Sequence, residues 1–185
     1  MTNPADQEFQ SRFERLYGAH LAQVFAYALR RTGPEAAHDI AAETFLVAWR
    51  RIDQVPDAAL PWLYGVARRV LANRTRAAGR QATLVERLAA EPPGLVPAHG
   101  PEQIDPRLVA ALSVLSDDER ELIRLLAWEG LDRREAAAVL GVGRPAVRLR
   151  LHRARRRLSA ALAAESAADA ADPPSPLVAA AKEAR

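Results

Sequence analysis

The chain has 185 residues, of which 49% are hydrophobic, 26% charged and 5% aromatic, with a formal net charge of +3, enough for one domain or two small ones packed mainly by alanine and leucine. It has no cysteine, which excludes disulfides and thiolate metal centres. No apolar run approaches the roughly 20 residues of a membrane span and no signal-peptide pattern opens the chain, so a cytoplasmic protein is expected.

A first helix is expected over about Asp6–Arg31, with Phe9, Phe13, Leu16, Tyr17, Val24, Phe25 and Ala28 on an apolar stripe. Thr32-Gly33-Pro34 ends it and starts a second helix, about Glu35–Arg51, which carries Ile40, Thr44, Val47 and Ala48 on its inner side. On this helix Asp39 and Glu43 stand four residues apart, so two carboxylates share a face that could dock on a basic or helical partner. Phe45 and Trp49 read as core. Val55-Pro56-Asp57 breaks the pattern, and Pro61 opens a third helix, Trp62 to about Ala78.

That third helix lies in a window, Asp57 to Glu86, with no acidic residue inside it. Its Arg68, Arg69, Arg74, Arg76 and Arg80 therefore have no neutralising neighbours in the sequence, and suit phosphates, each contact adding about 0.9 to the salt slope of binding. Asn73 can both donate and accept hydrogen bonds. Trp62 and Tyr64 could stack on separated strands, although Trp62 also reads as core. The three helices are expected to form one domain over residues 6–82. Proline and glycine then dominate, and residues 83–106 read as a flexible linker.

A second helical domain is expected over 107–162. Ser116-Asp117-Asp118-Glu119 is a capping box opening a helix with Leu122, Leu125 and Leu126 along it. Asp132 and Glu135 form a second capping box, Gly141 ends the short helix that follows, and another helix starts near Arg144 with Pro145 in its first turn. Val147, Leu151, Ala154 and Leu158 face inward; Pro145, Leu149, His152, Arg153 and Arg156, flanked by Arg148 and Arg150, face outward. A short helix, a glycine turn and a longer basic helix make a helix-turn-helix, whose second helix enters the DNA major groove. From Ala163 the composition is Ala, Asp and Pro, and residues 163–185 read as a disordered tail. The fold class is thus all-α: two small helical domains on a flexible strap, the second a winged-helix-like DNA-binding domain.

Three segments carry a family resemblance. His38-Asp39-Ile40-Ala41-Ala42-Glu43-Thr44-Phe45-Leu46-Val47-Ala48-Trp49, Trp62-Leu63-Tyr64-Gly65-Val66-Ala67-Arg68-Arg69 with Asn73, and the final GVGRPAVRLRLHRARRRL resemble, in this order, three segments of the bacterial extracytoplasmic-function (ECF) sigma factors of the sigma-70 family. The resemblance implies a promoter-recognition subunit of RNA polymerase. Asp39, Ala42, Glu43 and Leu46 would bind core polymerase. Trp62, Arg68, Arg69, Asn73 and Arg76 would read the minus-ten element, with the loop Arg51–Leu60 contributing to a base pocket. Arg144, Arg148, Leu149, His152, Arg153 and Arg156 would read the minus-thirty-five element. Ala42 stands where the family commonly has glutamine, Pro145 where it has glycine, and Leu149 where it has a small polar residue; the last two imply an altered minus-thirty-five preference. An anti-sigma factor is a further partner implied by the family.

The alternative is a free-standing helix-turn-helix regulator, which would leave the first two segments without a role. His20, His38, His99 and His152 have no metal-ligand spacing, and neither a glycine-rich phosphate loop nor a nucleophile–base set occurs, so no enzyme, cofactor or small-molecule substrate is expected.

Overall fold

The computed structural model describes residues 4–85 and 112–171, with side chains over 6–78 and 112–164. Among these residues there are six α-helices and no β-strand, so the helix-turn-helix carries no β wing. The expected linker lies almost wholly outside the described residues.

Helix α1 (Pro4–Leu29) and α2 (Pro34–Arg50) form a hairpin. Gly33 makes the turn with φ of 130°, a region open to glycine, and Pro34 starts α2 where an amide donor is not needed. Thr32 Oγ1 donates to the Ala28 carbonyl at 3.0 Å, satisfying one of the free acceptors at the end of α1. A single 3-10 turn (Ile52–Gln54) leads to α3 (Ala59–Val85). This helix begins three residues before Trp62, with Pro61 in its first turn, and runs past the boundary expected at residue 82. Leu16, Val24, Ala41, Phe45, Ile52 and Leu63 form the core that joins α1, α2 and α3.

The second unit consists of α4 (Asp117–Ala127), α5 (Arg133–Leu140) and α6 (Arg144–Ala171). Both expected capping boxes are present. The Glu119 amide donates to Ser116 Oγ at 3.3 Å, and the Ser116 amide donates to Glu119 Oε2 at 3.0 Å. Helix α6 does not stop near Leu162: it continues to Ala171, because alanine is the strongest helix former and no proline intervenes before Pro173.

The two units are not held apart. Tyr27, Ile40, Tyr64 and Ala67 of the first share one buried cluster with Leu122, Leu125, Val139 and Val147 of the second. Three helices leave the Tyr27–Tyr64 face of the first bundle uncovered, and α4 and α5 bury it. Each large apolar side chain so covered is worth about 1.5–3 kcal/mol. In the described residues the two expected units pack on one another through a common core.

Candidate polymerase and nucleic-acid interfaces

The recognition helix is set by its caps. Asp132 Oδ1 accepts from the amides of Arg134 and Glu135 at 2.6 and 2.7 Å, and Glu135 Oε2 accepts from the Asp132 amide at 2.8 Å. Gly141 turns the chain at φ of 66°, with its amide and that of Val142 donating to the carbonyls of Ala138 and Ala137. Val147 and Ala154 are then fully buried and Leu151 nearly so, which forces the other side of α6 outward. Arg144, Arg148, Leu149, His152, Arg153 and Arg156 are all exposed, and no ion pair among the described residues engages any of the four arginines. An open groove of about 730 Å³ is lined by Arg133, Arg144, Arg148, Leu149, His152 and Arg155, among others. Arg133 and Arg155 widen the cationic surface beyond the residues expected to read bases. Arg133 could have been found from its place beside the Asp132 cap, at the mouth of the turn.

Two other arginines of α6 do not belong to that surface. Arg150 pairs with Asp118 at 3.1 Å, and Arg157 pairs with the nearly buried Glu119 at 2.7 Å. Arg157 is therefore tied to the start of α4, a structural position rather than a free cation. The Ser116 backbone amide, with its hydroxyl and Arg157, outweighs desolvation and holds the Glu119 carboxyl below its ordinary range.

On α3 the expectation of un-neutralised arginines needs correction, because acids come from other elements. Arg74 donates to Asp39 at 3.1 Å and to Glu43 at 3.4 Å, so the carboxylates of the α2 face are bridged by α3. Hydrogen bonding to Asp39 is the largest influence on Arg74, and the net effect is to raise its pKa. Arg68 reaches Asp118 of the second unit at 3.5 Å. Arg69 donates to the Gly65 carbonyl at 3.1 Å. Arg76 donates to Asn73 Oδ1 at 2.7 Å, leaving the amide of that exposed side chain open. Trp62 is half-buried between both core clusters, as its core reading anticipates.

The α2 face presents Asp39, Ala42 and Leu46 to solvent with Glu43 half-exposed beside them. Trp49 and Tyr17, read from sequence as core, continue this surface at 40% and 41% exposure. The Trp49 indole makes T-shaped contacts with Phe9 and Phe13 at centroid distances of 4.6 and 4.9 Å. Phe45 is buried as expected. The result is a surface on which exposed Leu46, Trp49 and Tyr17, of the apolar and aromatic kinds, stand beside the carboxylates of Asp39 and Glu43.

The Arg51–Leu60 loop lies over a cleft of about 260 Å³ whose lining includes Arg12, Arg15, His20, Pro56 and Asp57. Arg12 Nη2 donates to the Val55 carbonyl at 2.9 Å and pins the loop to α1. The three α1 residues were not legible as neighbours of this loop, since some forty positions separate them from it in the chain.

Two family models match the chain. The description "Sigma-70 region 2" matches residues 16–81 and "Sigma-70, region 4" matches residues 106–158. The chain is 34% identical over 149 residues to the ECF RNA polymerase sigma factor SigL of Mycobacterium tuberculosis, covering 77% of this chain and 84% of that one. It is 32% identical over 152 residues to the RNA polymerase sigma factor CarQ of Myxococcus xanthus, covering 78% and 85%. A match at 36% identity to the sigma factor RfaY of Xanthomonas campestris covers 79% of this chain but 39% of that longer protein. Among solved structures, RpoE of Bartonella quintana in complex with the anti-sigma factor NepR superposes with a TM-score of 0.63 at 26% identity, covering 81% of this chain and 96% of that one. CnrH in complex with the cytosolic domain of CnrY gives 0.54 at 28% identity, covering 84% and 90%. With both sigma-70 regions present in order and relatives matched along most of its length, the chain belongs to the extracytoplasmic-function group of the sigma-70 family.

Proposed function

We propose that this protein is a promoter-directing subunit that docks on core RNA polymerase through the α2 face and reads promoter DNA through α3 and α6. The observation that carries the reading is the presence, in one chain, of an outward arginine-rich recognition face and a separate acidic-aromatic face. A free-standing helix-turn-helix regulator has no use for the second. Asp39, Ala42, Glu43 and Leu46 contact polymerase in this account, with Trp49 and Tyr17 added by their exposure. Arg69, Asn73 and Arg76, with Trp62 and Arg68, serve the minus-ten element. Arg144, Arg148, Leu149, His152, Arg153 and Arg156 serve the minus-thirty-five element; arginine suits guanine edges and Leu149 a thymine methyl. The action is non-enzymatic and takes place in the cytoplasm, where polymerase and DNA are. The functional division follows residues 6–82 and 107–162. The solved relative RpoE, in complex with the anti-sigma factor NepR, supports a partner of that kind for this chain.

Gel filtration with purified bacterial core polymerase tests the docking face. The native chain is expected to co-elute with the enzyme and Asp39→Arg/Glu43→Arg to elute free. Arg74→Ala, which breaks the same ion pairs without reversing the face, should still co-elute. A native chain that never joins polymerase would make the free-standing regulator the better account.

A further inference from the structure

Arg68 and Arg74 of α3 are turned toward carboxylates, but another stripe of the same helix is not. Arg69, Asn73 and Arg76 follow one another at i, i+4 and i+7, and so stand in line along one side of it. All three are exposed, and no carboxylate among the described residues pairs with either arginine. Each arginine is instead bent back on its own helix. Arg69 Nε donates to the Gly65 carbonyl at 3.1 Å, and Arg76 Nε donates to the Ala72 carbonyl at 3.1 Å. The fork of Arg76 then donates through Nη2 to Asn73 Oδ1 at 2.7 Å.

The chemistry of this contact fixes how Asn73 is turned. A guanidinium has donors and no acceptor, so the end of the amide that meets it has to be the oxygen. The NH2 end is left free: no hydrogen bond among the described residues engages it. A base amine approaching Oδ1 would bring its positive hydrogens beside the Arg76 charge. The one side-chain acceptor on the stripe is thus occupied, and Arg69, Asn73 and Arg76 together offer donors alone.

Nucleobases divide against such an edge. On the major-groove side guanine shows O6 and N7 and thymine shows O4, all acceptors, whereas adenine and cytosine show an exocyclic amine, N6 or N4, which donates. Adenine offers N7 as well, but its neighbouring N6 amine then faces the guanidinium. We propose that Arg76 sets the base preference of the minus-ten surface through Asn73, making it a donor that takes a keto base, guanine or thymine, and rejects the amino bases adenine and cytosine. This rests on the function proposed above. Without Arg76 the same amide can turn both ends to adenine, bonding N6 and N7 together. Arg76 is in this sense a positioning residue.

Selection of duplexes from a random-sequence pool, by the chain with bacterial core polymerase and by the chain alone, tests this. At one position the native chain should enrich guanine and thymine over adenine and cytosine at least about fivefold, the size of effect one hydrogen bond gives. Asn73→Asp, which turns a carboxylate oxygen outward beside the same arginine, should invert the ratio at that position. Arg76→Ala should admit adenine there and leave the other positions as they were. Arg76→Lys, which returns a donor to Oδ1, should restore the keto bias. Both side chains are exposed on α3, so helical circular dichroism should stay native. Loss in Arg76→Ala that is equal for all sequences, with a salt slope lower by about 0.9, overturns the proposal, because Arg76 then only holds a phosphate. So does a base ratio that Asn73→Asp leaves unmoved in both selections. Inversion by Asn73→Asp in DNA taken by the chain alone, in a protein that never joins polymerase, would uphold the donor edge and remove the polymerase reading instead.

Discussion

Single side chains carry most of the base specificity proposed for this protein. Leu149 is 50% exposed in the middle of a cationic face, where it can gain from an apolar contact but makes no hydrogen bond. In a duplex selected from a random pool, Leu149→Gln should shift the preferred base at one position while leaving overall affinity close to native. Arg148→Ala and Arg153→Ala should each lose about 1–3 kcal/mol of discrimination at one position if they read guanine, or flatten the salt slope by about 0.9 if they hold phosphate. Titrations at two salt concentrations separate these. Glu119 gives a pH prediction. Its folded pKa is depressed, chiefly by the Ser116 amide, so its stabilising contribution is present above the ordinary carboxylate range and is lost as pH falls through the depressed value. The melting temperature of the native chain should therefore exceed that of Glu119→Gln at neutral pH, and the gap should close in acid.

At the scale of elements, caps and turns were the readable part. Both capping boxes, the Gly141 turn and the buried stripe of α6 follow from short-range pattern, since capping bonds and helical periodicity involve neighbours three or four residues apart. Asp132→Ala should destabilise α5 by about 1 kcal/mol, seen as a fall of several degrees in the thermal midpoint. Gly141→Ala should do similar damage, because φ of 66° is strained for any residue with a Cβ. What stayed hidden was every partner supplied from far along the chain: Asp118 for Arg68, Asp39 and Glu43 for Arg74, Glu129 for Arg31. A run of arginines without local acids looks uncompensated until the fold returns acids to it. Trp49 and Tyr17 misled for the opposite reason, as apolar residues at helical spacing whose covering layer is incomplete in the chain alone.

For the whole molecule, the shared core changes what mutations in it should do. A substitution at Val139 or Tyr64 loosens the pairing as well as the unit it belongs to, so thermal unfolding should be one cooperative transition in the native chain. With Glu121→Gln/Glu129→Gln it should split toward two, measurable by calorimetry. Burial pushes the Tyr64 hydroxyl up to about 12, with the nearby Glu129 charge adding to the effect, so this group stays neutral through the physiological range. The Arg31 guanidinium is pulled down by burial but raised further by Tyr27, Glu121 and Glu129, and remains charged. The ion pairs of Arg31 with Glu121 and Glu129 are thus insensitive to ordinary pH on the arginine side.

The Arg74 bridge to Asp39 and Glu43 makes the two ends of the first unit communicate. On the proposed function, a polymerase surface that takes those carboxylates would release the Arg74 cation of α3 toward DNA, and phosphates that take the cation would release the carboxylates. By thermodynamic reciprocity each event favours the other by the same factor. The pairs are exposed, so that factor is small, no more than about fivefold. In Arg74→Ala the two affinities should become independent.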